Sequence, residues 1–147
     1  MGIVIESQEG KFLFGKRISS QSYGDMWVVV GGGVEKGERE EAAIRREVLE
    51  ETGIDLSKNK IIKVFGDLKG ETEKTLRTGE RVLCKMDFTD FRVKLTDESN
   101  KIKCTFDPME FSEIRWFYPE EIKELTFSAG SAALLNKIKL LNKQDGE

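Results

Sequence analysis

Between Gly32 and Ile54 a run of glycines passes into a segment that has every mark of a helix, and the face this helix must bury is also the face that carries its carboxylates. From Arg39 to Thr52 the chain is rich in Ala, Glu, Arg and Leu with no breaker, and Gly53 follows where a C-cap belongs. At 100° per residue, Glu47, Glu50 and Glu51 fall within a sector of about 100°, with Glu40 two turns earlier on the same line. Ala43, Ile44 and Val48 share or border that sector, although Ala42 and Leu49 lie opposite. A charged helical stripe ordinarily faces water. Here apolar anchors draw it inward, and like carboxylates held together out of water are relieved by protonation or by a cation. A divalent ion resolves the conflict, because hard cations such as Mg²⁺ take carboxylate and carbonyl oxygens and bridge to phosphates. The glycines let backbone approach such an ion closely.

The chain contains no histidine, which excludes Ser-His and Cys-His nucleophiles and histidine metal sites, so any metal is held by oxygen. Its net charge of −3 argues against a nucleic-acid polymer as partner. Small phosphorylated substrates remain compatible, since a bound cation supplies the positive charge. Cys84 and Cys104 lack CxxC spacing and fit reduced core residues. No apolar run approaches the roughly 18 residues of a membrane span. The first residues lack a basic region, and Glu6 stands where a myristoylation signal has Ser or Thr, so a cytoplasmic protein with neither membrane nor export is expected.

The 147 residues are expected to form one domain, 1–147, with Lys143 to Glu147 frayed. Ile3–Glu6 and Phe12–Arg17 predict a hairpin, residues 18–25 a loop, and Met26–Val30 a buried strand. Strands are predicted at 60–66 and 82–93, with the polar stretch Asp67–Arg81 as a loop between them. Residues 94–112 read as irregular, with one short strand near 102–106, followed by a strand at 114–118. A helical turn opens at Pro119, and an amphipathic helix from about Ser128 to Asn142 carries Leu134, Leu135, Ile138 and Leu141 on one stripe. Trp27 and Trp116 are expected in the core rather than as stacking platforms. Lys69, Lys74, Arg77 and Arg81 are read as solvated surface, with a phosphate clamp as the alternative.

Gly32, Glu38, Arg46, Glu47, Val48, Glu50, Glu51, Gly53 and Ile54 reproduce, in order and spacing, the signature of the Nudix hydrolases, which this segment closely resembles. The fixed positions would coincide by chance on the order of once in 10⁸ windows. The resemblance covers roughly residues 2–125 and implies an α/β fold, an α/β/α sandwich with a mixed β-sheet between helices. It implies that Glu47, Glu50 and Glu51 hold Mg²⁺ (or Mn²⁺) with help from a carbonyl at Gly32 or Gly33. It further implies that Arg46 and Glu38 brace the loop, that Gly53 ends the helix, and that Arg17 reaches a substrate phosphate. A further catalytic glutamate is expected by spacing at Glu110, with Glu98, Asp107 and Glu113 in competition. Val30 departs from the family's usual proline, and Gly130 stands where guanine-reading members have Asn, which argues against guanine specificity.

The activity so implied is hydrolysis of a phosphoanhydride bond in a nucleoside diphosphate linked to a further group X, with a nucleotide as small-molecule partner. The segment after the box lacks the proline of ADP-ribose hydrolases and the tyrosine of dinucleoside polyphosphate hydrolases. Nucleoside triphosphates and nucleotide sugars therefore stand in front. A noncatalytic nucleotide-sensing Nudix module is the alternative, and a partner-binding domain that binds no Mg²⁺ is a third reading. A homodimer is the assembly common among relatives.

Overall fold

The computed structural model of the chain describes residues 1–20, 23–64, 69–75, 81–87 and 89–141, and for 69–75 and 81–87 it describes the backbone alone. β1 (Gly2–Glu6) and β2 (Phe12–Arg17) form the expected hairpin, but they pair only at its closed end, where Glu6 faces Phe12. Beyond that point the two strands diverge and the Met26–Val30 run fills the gap. It does so as two short strands rather than one. β3 (Trp27–Val28) pairs with β2 at Gly15 and Lys16, and β4 (Val30–Gly31) pairs with β1 at Gly2 and Ile3. Val29 has left both ladders, and its amide donates instead to the Ser131 hydroxyl at 3.0 Å. A buried N–H demands such a partner.

On its other side β1 runs parallel to β8 (Asp90–Lys94), which pairs antiparallel with β5 (Ile62–Val64). β9 (Phe111–Phe117) pairs antiparallel along β2. The result is a seven-stranded mixed sheet. The 82–93 stretch, expected as one strand, is divided between β8 and β7 (Arg81–Asp87), which belong to different sheets. β7 pairs with β6 (Lys69–Thr75), which replaces most of the loop expected from Asp67 to Arg81. β6 has no apolar alternation in its sequence to betray it, and its ladder is seen in backbone pairing. No strand forms at 102–106. A single 3₁₀ turn at Ser99–Lys101 precedes this stretch, and the Thr105 amide donates to the carbonyl of Thr52 at 2.8 Å.

Period-two alternation sends the strand side chains to two cores. Ile3, Ile5 and Leu13 pack with Ile44 and Val48 of α1 (Glu40–Thr52). Val4, Phe12, Phe14, Trp27 and Phe117 pack on the other face with Ile122 of α2 (Pro119–Ile122) and with Leu134 and Leu135 of α3 (Ala129–Lys137). Trp27 meets Phe117 edge to face at 4.9 Å, in the core as expected, and Trp116 packs against the first cluster. The architecture is the expected α/β/α sandwich. α3 ends at Lys137, short of the expected Asn142, and its N-cap is Ser128, so Gly130 lies within its first turn rather than before it.

The wedge of β3 and β4 requires close backbone approach. A Cβ on Gly31 would stand 2.1 Å from the Met1 carbonyl oxygen, whereas one on Gly33 would meet nothing within 4 Å. Gly31→Ala is therefore expected to lower stability by about 1–3 kcal/mol. Gly33→Ala should change it by less than about 0.5 kcal/mol. Urea unfolding of the two variants measures the difference.

Candidate active site

α1 starts at the N-cap Arg39, carries Glu40 and Glu41 in its first turn where the helix dipole favours anions, and ends at Gly53, whose φ of 78° gives the left-handed C-cap. Its buried residues are Ala43, Ile44, Val48 and Thr52, while Leu49 is 51% exposed. The buried phase of Ala43, Ile44 and Val48 read from the sequence is the phase observed, but the acidic face expected to turn inward with it does so only in part. The acidic residues flank this buried stripe, so Glu47 and Glu51 are half-buried while Glu40 and Glu50 are exposed. Glu40 lies 3.7 Å from Lys63, away from the others' contacts.

Arg46 joins helix to loop. Its Nε donates to Glu38 at 2.8 Å, and Nη2 donates to Glu38 at 3.1 Å and to the carbonyl of Gly33 at 3.0 Å. Nη1 donates to Glu47 at 3.0 Å and to Glu50 at 2.7 Å. The Arg46 hydrogen bonds, with that from the Glu35 amide, hold the Glu38 carboxyl below its usual range. Glu38 in turn accepts from the Glu35 amide at 3.0 Å and closes the loop as a turn. The contact with Glu50 joins residues at i,i+4 spacing on the helix, where the resemblance had implied Glu50 as a metal ligand.

Glu47 lies against the glycines: a Cβ on Gly32 would stand 2.2 Å from its carboxyl carbon. Glu51 accepts a hydrogen bond from the Gly31 amide at 3.0 Å. Its carboxyl is pushed up to about 7, chiefly by burial, against the pull of the Gly31 hydrogen bond, and the charges of Glu47 and Glu110 push the same way as burial. Arg17 pulls it down. Arg17 ends β2 at a bulge opposite Phe111, with its guanidinium 5.5 Å from that ring, and its buried Nε has no hydrogen-bond partner among the described residues. The structure thus brings Arg17 and Glu110 into the electrostatic field of Glu51. The competing carboxylates are engaged elsewhere: Glu98 lies near Lys101, Asp107 accepts from the Met109 amide, and Glu113 pairs with Arg115.

Among the described residues no three acidic or cysteine side chains converge closely enough to hold an ion. Arg46 takes Glu47 and Glu50 instead, and the carbonyls of Gly32 and Gly33 accept from the Met1 amino group and from Arg46. The donor set nonetheless fits a hard cation. It is all oxygen, glycine at position 32 leaves room beside Glu47, and Glu51 is a half-buried carboxylate with like charges near it.

A family model described as NUDIX domain matches residues 1–138. The chain belongs to the Nudix family. An RNA pyrophosphohydrolase from Wolbachia sp. subsp. Brugia malayi is 34% identical over 121 residues, spanning 79% of this chain and 71% of that one. An RNA pyrophosphohydrolase from Erythrobacter litoralis is 30% identical over 129 residues, spanning 84% and 77%. The crystal structure of the Nudix hydrolase RenU from M. smegmatis superposes with a TM-score of 0.66 over 94% of this chain and 80% of that one at 17% identity, a likeness of fold. The expectation of a Nudix-type pyrophosphohydrolase is borne out.

For this Nudix domain the sequence did not anticipate the Gly31 amide as the partner of Glu51, nor Arg45, whose guanidinium donates to the carbonyls of Leu56 and Asn59 and pins the segment after α1. Neither contact has a spacing signal, because each joins α1 to backbone outside it. The side chains of Lys69, Lys74, Arg77, Arg81 and Cys84, and residues Lys143 to Glu147, lie outside the described residues. Cys104 is free and half-buried.

The raised Glu51 carboxyl makes a pH prediction for protein kept in a chelator. Because its folded value, about 7, exceeds the ordinary 4.5, the folded state binds more protons between these limits. Stability from this group is thus complete below the lower value and lost as pH rises through the upper one. The melting temperature should fall between pH 5 and 8, and Glu51→Gln should flatten that fall. An identical slope in the variant would contradict the assignment.

Proposed function

We propose that this Nudix domain hydrolyses a phosphoanhydride bond of a free nucleotide, a nucleoside diphosphate linked to X such as a nucleoside triphosphate or nucleotide sugar, with Mg²⁺ as its ion and Mn²⁺ as substitute. The observation that carries this reading is the half-buried Glu51 carboxylate, seated on the Gly31 amide, with Glu47, Glu110 and Arg17 acting on it. Glu47, Glu50 and Glu51, with a carbonyl of the glycine loop, would hold the ion. When bound, a divalent cation neutralises charge on phosphoryl oxygens and acidifies water.

The chain's own residues supply the rest. Arg17 offers a guanidinium whose buried Nε has no hydrogen-bond partner among the described residues, suited to a phosphate oxygen. The Glu110 carboxylate accepts the proton of the attacking water, as a general base. Arg46 and Glu38 position the loop. Among the described residues no helix is long and apolar enough to cross a membrane.

A second reading takes the triphosphorylated 5′ end of an RNA as substrate. The names of the relatives favour it, against the expectation drawn from the net charge of −3. A panel of nucleoside triphosphates, nucleotide sugars, dinucleotides and 5′-triphosphorylated RNA, with both products analysed, separates the two. A panel in which nothing is hydrolysed with Mg²⁺ or Mn²⁺ would leave the nucleotide-sensing module as the account.

On the best substrate, Glu51→Gln should cut turnover by a factor on the order of 10² or more with the fold intact. Glu110→Gln should also cost roughly 10² in turnover, whereas Glu98→Gln and Glu113→Gln remain close to wild type. Wild-type turnover in Glu110→Gln would remove it from the site.

A further inference from the structure

Val29 and Gly31 are two residues apart, and in an unbroken strand their amides would point to the same edge. They do not. The Val29 amide donates to the Ser131 hydroxyl of α3 at 3.0 Å, and the Gly31 amide donates to the Glu51 carboxylate of α1 at 3.0 Å. These two helices cover opposite faces of the sheet. The break between β3 and β4 is therefore held by two side-chain anchors, one from each layer, and the anchor remote from the acidic residues is a serine.

Ser131 is 5% exposed and shares the buried face of α3 with Leu134 and Leu135. A hydroxyl in such a place acts against stability unless it is hydrogen-bonded. The helix does not need it as a cap, because Ser128 is the N-cap and its side chain accepts from the Ser131 amide. What it serves is Val29. The hydroxyl is itself held in place: that of Ser128 donates to it at 3.0 Å, and the Ser128 amide donates to the Trp27 carbonyl at 3.1 Å. The first turn of α3 is thereby tied to β3 just before the break.

We propose that Ser131 is a positioning residue of the active site, which fixes Val29 from the opposite face of the sheet and so aims the Gly31 amide at Glu51. For its effect on the ion this rests on the reading of Glu51 as a metal ligand. Without the hydroxyl the Val29 N–H has to find another partner, and the peptide units that separate it from Gly31 turn with it. Partners outside the coordination shell govern metal affinity by a factor of about 10 to 100, and Ser131, one step further out, belongs at the lower end. Ser131 and Val29 stand 102 positions apart, which is why no motif marks the pair.

Nuclear magnetic resonance of the full chain in a chelator tests the positioning by itself. The Gly31 amide proton, donated to a carboxylate, should resonate downfield in the wild type and move upfield in Ser131→Ala. Ser131→Cys, close to serine in volume but only a weak acceptor, should move it the same way, whereas Ser131→Thr keeps the hydroxyl and should leave it in place. Calorimetric titration with Mg²⁺ alone should then give a Kd raised about tenfold in Ser131→Ala and Ser131→Cys, and a wild-type value in Ser131→Thr. A merely structural serine would lower the melting temperature and leave the resonance and the Kd where they are. A Gly31 resonance unmoved in Ser131→Ala and Ser131→Cys would overturn the proposal, and so would an equal displacement in Ser131→Thr. Unchanged Mg²⁺ affinity in the first two variants would overturn it as well. A wild type that binds no Mg²⁺ would contradict the metal reading instead, and the Gly31 resonance would still decide the role of Ser131.

Discussion

The hydrogen bond from the Gly31 amide to Glu51 joins the middle of the sheet to the helix that carries the chemistry. It exists because β1 and β2 part after their first pair and admit β3 and β4 between them, which brings the glycine run against α1. Ile44 and Val48 fix the helix over the same core as Ile3 and Val30, so its acidic flank meets the loop in one register. Were β1 and β2 paired along their whole length, β4 would have no place beside β1.

Charge at this junction is handled in two ways. Glu38, Glu47 and Glu50 share the Arg46 guanidinium. Glu51 receives a backbone dipole and the pull of Arg17, against burial and two like charges. Burial is the largest of these influences and raises the carboxyl despite the Gly31 hydrogen bond, with the like charges of Glu47 and Glu110 adding to it. The group with the least compensation is the one to which a cation brings the most. That asymmetry makes Glu51, rather than the more exposed Glu50, the centre of the account.

Much of this was legible in the sequence because it is local. The extent of α1, its Gly53 cap, the buried phase of Ile44 and Val48 and the first hairpin depend on residues a few positions apart. The Arg46–Glu38 contact spans eight residues and came from the family signature rather than from geometry. What escaped is not set by the pattern of side chains alone. The Met26–Val30 run splits because β1 and β2 offer it separate edges, and β6 is a strand through its pairing with β7. The carboxylates expected to converge instead divide around Arg46, since a neighbouring guanidinium competes for them in a way that helix phase alone does not reveal.

The central claim is that the half-buried carboxyl of Glu51 is a ligand of the divalent ion. A cation takes the ionised form, so its binding must displace whatever proton Glu51 carries. With the carboxyl pushed up to about 7, Mg²⁺ binding near pH 7 should release protons from this group. Calorimetric titration of Mg²⁺ in two buffers of different ionisation enthalpy measures that release directly. The account predicts it in the wild type and its loss in Glu51→Gln. Mg²⁺ binding without proton release, or with the same release in both proteins, would contradict it.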